Sequence, residues 1–172
     1  MATATKKIEP GITAPDFELI ANNGRTMNLS YYWGRKNVVL YFYPKDDTPG
    51  CVTEACGFRE VMDDLFECDT IVLGISPDNM SAHQKFIAKY YLPFLLLSDP
   101  NKDACNKYGV WGEKSMYGKK YMGVLRTTFI IGKDGKILKI FEKVKPAEHG
   151  KEVLAYVKTL NRLSVRMPNK RI

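Results

Sequence analysis

The sequence predicts a mixed α/β fold in which a central sheet is flanked by helices. Three observations carry this expectation. Two apolar runs, Val38-Val39-Leu40-Tyr41-Phe42-Tyr43 and Ile71-Val72-Leu73-Gly74-Ile75, have the length and character of strands buried on both faces. The first is followed by apolar residues at Val52, Ala55, Phe58, Met62, Leu65 and Phe66, a helical spacing, so strand and helix alternate. Later in the chain, two more apolar runs flank Gly132-Lys133-Asp134-Gly135, a hairpin turn. Helical crossovers make neighbouring strands parallel and a hairpin makes them antiparallel, so the sheet should be mixed.

With 172 residues, the chain is long enough for one domain with a real core and too short for two large ones. A single domain over 1–172 is expected. The polar start, to about residue 12, and the end, 164–172, read as loose. Strands at 16–20 and 26–29 flank Asn22-Asn23-Gly24, whose Asn-Gly pair suits a tight turn. Residues 31–36 read as a short irregular or helical connection, 37–43 as the first central strand and 49–67 as the first long helix. A second central strand at 70–76 leads to a helix over 81–91, with Asn79 placed to cap it and Pro93 beyond its end. A short strand at 94–97, a turn at Asp99-Pro100 and a short helix at 102–108, stopped by Gly109, follow. Residues 110–123 mix glycines with Trp111, Tyr117 and Tyr121 and read as an ordered loop. Strands at 126–131 and 136–141 and a helix at 148–163, with Val153, Leu154, Val157 and Leu160 on one face, close the chain. This order describes a thioredoxin-like fold with an N-terminal hairpin extension. No internal repeat is visible.

Hydrophobic content of 45% and charged content of 26% are those of an ordinary globular protein. No apolar run approaches the roughly 18 residues of a membrane span, and the first ten residues lack the apolar core of a secretory signal. A cytoplasmic protein without membrane partners is the expectation. Four cysteines without a secretory signal read as working thiols or small buried hydrophobes rather than a disulfide framework. The net charge of +7 comes from scattered basic residues, with modest clusters at 133–145 and 162–171 and no basic stripe interleaved with aromatics. It reads as a solvated basic surface, with no specific nucleic-acid site.

The chemistry concentrates between the first central strand and the first helix, at Pro44-Lys45-Asp46-Asp47-Thr48-Pro49-Gly50-Cys51, with a second cysteine at Cys56. Thr48 can cap the helix and Pro49 can open it. Cys51 then lies in the first turn, where unpaired amides and the helix dipole favour an anion such as a thiolate. The plain alternative is a small buried residue at a helix start. Against it stand the position after a central strand, where ligand crevices form in open α/β sheets, the Thr48 hydroxyl within reach of the same pocket, and the space left by Gly50. Asp46 and Asp47 suit a helix start, but beside a thiolate they would oppose its charge, so they should point away.

On a continuous helix five residues correspond to about 7.5 Å of rise and about 140° of rotation. That separation exceeds the reach of an unstrained disulfide, so a Cys51–Cys56 bond requires the first turns to unwind. Cys56 is the natural second thiol if Cys51 attacks; otherwise it is a core-facing cysteine. Arg126, at a strand start, is either a surface residue or a fixed positive charge reaching the thiol pocket. Cys68 and Cys105 have no partners at motif spacing and read as inert. His83 and His149 form no zinc pattern with the cysteines. A cysteine–histidine protease pair stays open on spacing, but it leaves Cys56 and Thr48 without a role.

Pro44-x3-Thr48-x2-Cys51 resembles the active-site signature of peroxiredoxins, and Cys56 resembles the second cysteine of the peroxiredoxin Q, or bacterioferritin comigratory protein, group. Ala14-Pro15-Asp16-Phe17, Tyr41-Phe42-Tyr43-Pro44, Gly74-Ile75-Ser76, the stretch from Tyr108 to Lys114 and the stretch from Tyr117 through Gly123 to Arg126 also resemble family segments. The resemblance runs from about residue 8 to residue 163. It implies a thiol peroxidase in which Cys51 is the peroxidatic cysteine and Cys56 the resolving one. Thr48 and Arg126 would hold the peroxide, and Pro44 would shield the sulfur. It also implies a disulfide recycled by thioredoxin or a similar dithiol protein, no metal or organic cofactor, hydrogen peroxide and organic hydroperoxides as substrates, and a monomer. Two rivals share the fold: a thiol–disulfide oxidoreductase, disfavoured by the missing Cys-x-x-Cys, and a redox sensor, which need be oxidised only once.

Overall fold

A computed structural model describes residues 7–166. Glu18–Ala21 (β1) and Thr26–Asn28 (β2) form the N-terminal hairpin, followed by a 3-10 turn at Leu29–Tyr32. Asn37–Phe42 (β3) leads to the long helix Pro49–Glu67 (α1), and Thr70–Ser76 (β4) leads to Met80–Tyr90 (α2). Leu95–Ser98 (β5) precedes the short helix Asp103–Lys107 (α3). Trp111–Met116 (β6) and Lys119–Val124 (β7) form a separate ribbon, and Thr127–Ile131 (β8), Ile137–Phe141 (β9) and Pro146–Arg166 (α4) complete the chain.

The main sheet has the order β2-β1-β5-β4-β3-β8-β9. β3 pairs in parallel with β4, and β4 with β5, as the crossovers require. β8 runs antiparallel to both β3 and β9, so the mixed sheet expected from the sequence is present. The period of two along β3 sorts its side chains onto two cores. Val38, Leu40 and Phe42 join one buried cluster with Phe129, Ile131, Ala104 and Tyr108. Val39, Tyr41 and Tyr43 join the other, with Cys51, Ala55 and Phe58 of α1, Phe86 of α2 and Val153 and Val157 of α4. Burial on both faces explains why this strand reads as one unbroken apolar run. Gly74 makes room for Tyr41: a Cβ there would lie 2.7 Å from Leu96 and 2.9 Å from the Tyr41 ring.

Helices α1 and α4 approach closely at Gly57 and Gly150, where a Cβ on Gly150 would lie 2.6 Å from the Gly57 carbonyl oxygen. α4 also fixes His149, fully buried, against Thr128 at 2.7 Å and edge-on to Phe58. The helix bearing Cys51 is thus packed on the sheet and beside α4.

Three expectations need correction. Residues 110–123 are not a loop but the β6–β7 hairpin, in register from Trp111 opposite Val124 to Met116 opposite Lys119. Its faces are mostly exposed, so no buried stripe marks it in the sequence. The signal was the turn: Tyr117 and Gly118 both take positive φ, 51° and 77°, the pattern of a type I′ hairpin. The start is not loose from residue 11 on: the Gly11 amide donates to the Ile137 carbonyl and the Ile137 amide to Ile12, while Ile8 and Ile12 pack on the core. At the other end α4 begins at Pro146 and runs to Arg166. The remaining tail residues, 1–6 and 167–172, lie outside the described residues.

Candidate active site

The loop after β3 and the first turn of α1 build the site. Pro49 opens the helix and Thr48 takes the N-cap position with extended backbone, φ −99° and ψ 153°. Its hydroxyl, however, does not cap. It donates to the Lys45 carbonyl at 2.8 Å instead, which spends its hydrogen and leaves the oxygen lone pairs available. Pro44, half-buried, begins the loop. Cys51 follows in the first turn, 1% exposed, among the amides that have no partner within the helix.

Arg126, just before β8, reaches across to this turn. One of its terminal nitrogens donates to Cys51 Sγ at 3.4 Å and the other to Glu54 Oε1 at 2.7 Å. The two arms of one planar guanidinium are thereby fixed by the thiol and by a carboxylate one turn further along the same helix. Gly50 opens space for this group rather than for the sulfur itself, since a Cβ there would sit 3.2 Å from the Arg126 terminal nitrogen. Burial works against the arginine's charge, but Glu54 and Cys51 beside it outweigh this and hold its pKa above the ordinary value.

Glu54 has no counterpart in the sequence reading. It is fully buried, and its second oxygen, Oε2, has no hydrogen-bond partner in the structure. The available signal was spacing: a carboxylate three residues after Cys51 on a helix lies on the same face. Lys114 also reaches the site, from the hairpin misread as a loop. Its ammonium donates to the Val124 carbonyl at 3.0 Å, and burial together with the Arg126 charge lowers its pKa while the charge of Cys51 opposes that shift. Tyr41, buried beneath, has a hydroxyl without a partner; burial and the charges of Glu54 and Cys51 push its pKa up. A groove of about 700 Å³ opens beside Arg126, between the apolar walls of Val110, Leu125, Phe129 and Ile140 and the cations Lys114 and Lys143.

The remaining candidates fall where expected or apart from the site. Cys56 lies half-buried on α1, which is continuous from Pro49 to Glu67, so it is separated from Cys51 as the helix geometry requires. Asp46 and Asp47 point away: Asp46 binds Tyr43 and His83, and Asp47 binds Lys89 and Tyr90. Cys105 is buried, and that burial pushes its thiol well up, as suits an inert cysteine. Cys68, half-buried, caps the end of α1. Asp46, Asp78 and His83 each offer an atom of metal-ligating type, all within 4.8 Å of one another. Those atoms are already engaged in hydrogen bonds within the protein.

Two buried groups of the site region titrate abnormally with opposite sign. Burial pushes Glu54 from 4.5 up to about 7, against the Arg126 charge. Burial, aided by the Arg126 charge, pushes His149 from 6.5 down to about 4. Between pH 4.5 and 7 the folded chain keeps the Glu54 proton that the unfolded chain releases, so stability from this group falls as pH rises. Between pH 4 and 6.5 the unfolded chain takes up a proton at His149 that the folded chain refuses, so stability from this group rises with pH. The two slopes oppose each other over their shared window. Glu54→Gln should remove one of them, and its melting temperature should climb more steeply with pH across that window than the parent's. Parallel profiles would contradict the assignment.

Comparison with known proteins bears on the family and the fold. The AhpC/TSA family model matches residues 10–140. The chain is 47% identical over 154 residues to peroxiredoxin Bcp of Bacillus subtilis, covering 90% of this chain and 98% of the relative. It is 43% identical over 151 residues to peroxiredoxin Bcp of Escherichia coli, covering 88% and 96%. A solved structure of Xanthomonas campestris bacterioferritin comigratory protein superposes with a TM-score of 0.82 at 34% identity, covering 90% of this chain and 98% of that one. A Xylella fastidiosa PrxQ mutant gives 0.84 at 33% identity, with the same coverage. The thioredoxin-like architecture, the Cys51–Arg126–Glu54 arrangement and these relatives converge: the chain belongs to the AhpC/TSA family and is a peroxiredoxin, a thiol peroxidase, of the Bcp and PrxQ group.

Proposed function

We propose that Cys51 is the peroxidatic cysteine and Cys56 the resolving one, and that a dithiol protein such as thioredoxin recycles the enzyme. The observation that carries this reading is the Arg126 guanidinium, held on Cys51 Sγ by one arm and on Glu54 by the other. A hydroperoxide enters with its terminal oxygen toward the sulfur. Thr48 Oγ1, its own hydrogen given to Lys45, accepts a hydrogen bond from the peroxide O–H. The Cys51 thiolate attacks the terminal oxygen and the O–O bond breaks. The terminal oxygen keeps its hydrogen as the sulfenic acid forms, and the electron pair leaves on the second oxygen, which takes a proton from solvent and departs as water or an alcohol. Arg126 donates to the oxygens as charge passes between them, with its geometry fixed in advance by Glu54.

Cys51 is now a sulfenic acid, the first rung of thiol oxidation. After the first turns of α1 unwind, the Cys56 thiol attacks the Cys51 sulfur, water leaves, and an intramolecular disulfide forms. Two electrons from an external dithiol restore both thiols. Pro44 limits access of water to the sulfur. Both cysteines lie in one chain, which supports a monomer, and none of these steps calls for a metal or organic cofactor. The apolar walls of the groove beside Arg126 support organic hydroperoxides as well as hydrogen peroxide. The Xanthomonas relative is described as having alkyl peroxide reduction activity. Four free thiols fit a reducing compartment such as the cytoplasm. Among the described residues no helix is long and apolar enough to cross a membrane.

Arg126→Lys tests the role of the guanidinium. Lysine keeps a charge but cannot hold Glu54 and the sulfur with one rigid fork. The rate constant for Cys51 oxidation, measured in a single turnover, should fall by about 10²-fold, the scale of losing one preorganised donor. An unchanged rate constant would refute the assignment.

A further inference from the structure

The loop leading into α1 is held by a buried polar network for which the peroxidase chemistry has no use. Asp46 is 9% exposed and His83, on α2, is fully buried. The Tyr43 hydroxyl donates to Asp46 Oδ1 at 2.5 Å, and His83 Nδ1 lies 2.6 Å from Asp46 Oδ2. The second ring nitrogen of His83 lies 3.1 Å from the Leu97 carbonyl on β5. The Asp46 amide donates to Asp78 Oδ2 at 2.8 Å, and the Ser76 hydroxyl donates to the same oxygen at 2.6 Å. Asp46 is therefore tied to the residue that follows β3, to α2 and to the end of β4, and through His83 to β5.

The donor inventory constrains this network. A carbonyl only accepts, so His83 Nε2 must carry hydrogen. The short contact between Nδ1 and the carboxylate needs a second hydrogen, on one partner or the other. A buried polar cluster of this kind is worth its desolvation only when every member is satisfied, and here each is. The next residue continues the restraint: Asp47, at φ 57°, accepts from Lys89 Nζ and from the Tyr90 hydroxyl, each at 2.8 Å. The chain is thus anchored immediately upstream of Thr48, at the boundary where the unwinding needed for a Cys51–Cys56 bond has to begin.

We propose that Tyr43, Asp46 and His83 are positioning residues that hold the start of α1 in its helical, peroxide-reactive form, and so set how fast oxidised Cys51 opens toward Cys56. The proposal rests on the assignment of Cys51 and Cys56 made above. Loosening the anchor moves two rates in opposite directions. Attack on peroxide slows because Thr48, Cys51 and the first-turn amides are less well placed. Disulfide formation quickens because the turn opens more readily. Sulfenic acid then persists for less time, and over-oxidation at high peroxide declines.

The test measures both steps by rapid-mixing single-turnover kinetics in the full chain, together with the over-oxidised fraction by mass spectrometry. Tyr43→Phe deletes one hydroxyl and keeps the ring, and His83→Leu removes the central link. Each should slow Cys51 oxidation and quicken disulfide formation by about tenfold, the scale of leaving one buried partner unsatisfied. Asp46→Asn is the rescue. Its amide can accept from Tyr43 through oxygen and donate to His83 Nδ1 through nitrogen, so both rates should stay within about twofold of the parent's. Both rates falling together, no change in either, or Asp46→Asn behaving like His83→Leu would each overturn the proposal. A parent protein that forms the sulfenic acid but no Cys51–Cys56 disulfide would overturn the underlying assignment, and this proposal with it.

Discussion

Cys51→Ser should abolish peroxide reduction, by roughly 10⁴-fold or more, while leaving the fold intact. The cause lies in the nucleophile alone. A serine hydroxyl occupies nearly the same buried volume at the helix start, where Cys51 is 1% exposed. The Arg126–Glu54 pair at 2.7 Å does not depend on sulfur and should persist. What is lost is the polarisable sulfur nucleophile, which an alcohol cannot supply near neutral pH. The check is peroxide consumption under conditions in which the parent turns over, with circular dichroism to verify the fold. Appreciable catalytic peroxide consumption in the folded serine variant would remove Cys51 from the centre of the mechanism.

Cys56→Ser should separate the two halves of the cycle. The first oxidation should run at the parent's rate, because Cys56 lies more than a helical turn from the sulfur and is not among the hydrogen-bond partners of Arg126. Turnover driven by a dithiol protein should then stop, because the sulfenic acid has no thiol in the same chain to condense with once the first turns open. The variant should accumulate sulfenic acid, and with excess peroxide sulfinic acid, both visible as added oxygen by mass spectrometry. Sustained thioredoxin-driven cycling in Cys56→Ser would refute the resolving role. Cys68 and Cys105 provide no alternative in this account: one sits at the far end of α1, and the other is buried on the opposite face of the sheet.

Much of the architecture was legible in the sequence because it rests on local signals. The apolar run ending at Tyr43, the Pro49 helix start and the Asn79 cap, whose side chain accepts from the Ala82 amide at 2.9 Å, are short-range features with direct physical causes. The β6–β7 hairpin was missed because its stabilisation is not a buried stripe but backbone pairing around a positive-φ turn. Lys114 was missed with it. At the site, Cys51 and Thr48 were accessible from chain order. The convergence of Arg126 and Glu54 depends on β8 lying beside β3, a pairing between residues far apart in the chain. Burial of a carboxylate is equally invisible until helix and sheet are docked. The Thr48 position was legible but its hydrogen bond was not, since Lys45 and the helix amides are both within reach of the hydroxyl. The anchor at Asp46 and His83 needs four elements in place at once and leaves no trace in local spacing.

The central claim is that peroxide oxidises Cys51 and that Cys56 resolves it within the same chain. The most direct measurement is mass mapping of the protein after one equivalent of hydrogen peroxide without reductant. Both cysteines fall in a single tryptic peptide, residues 46–59, since the chain between Lys45 and Arg59 contains no other basic residue. The account predicts that this peptide becomes lighter by two hydrogen atoms and regains its mass on treatment with thioredoxin, thioredoxin reductase and NADPH. A peptide of unchanged mass, or an oxidised peptide in which Cys51 is bonded to Cys68 or Cys105, would contradict it.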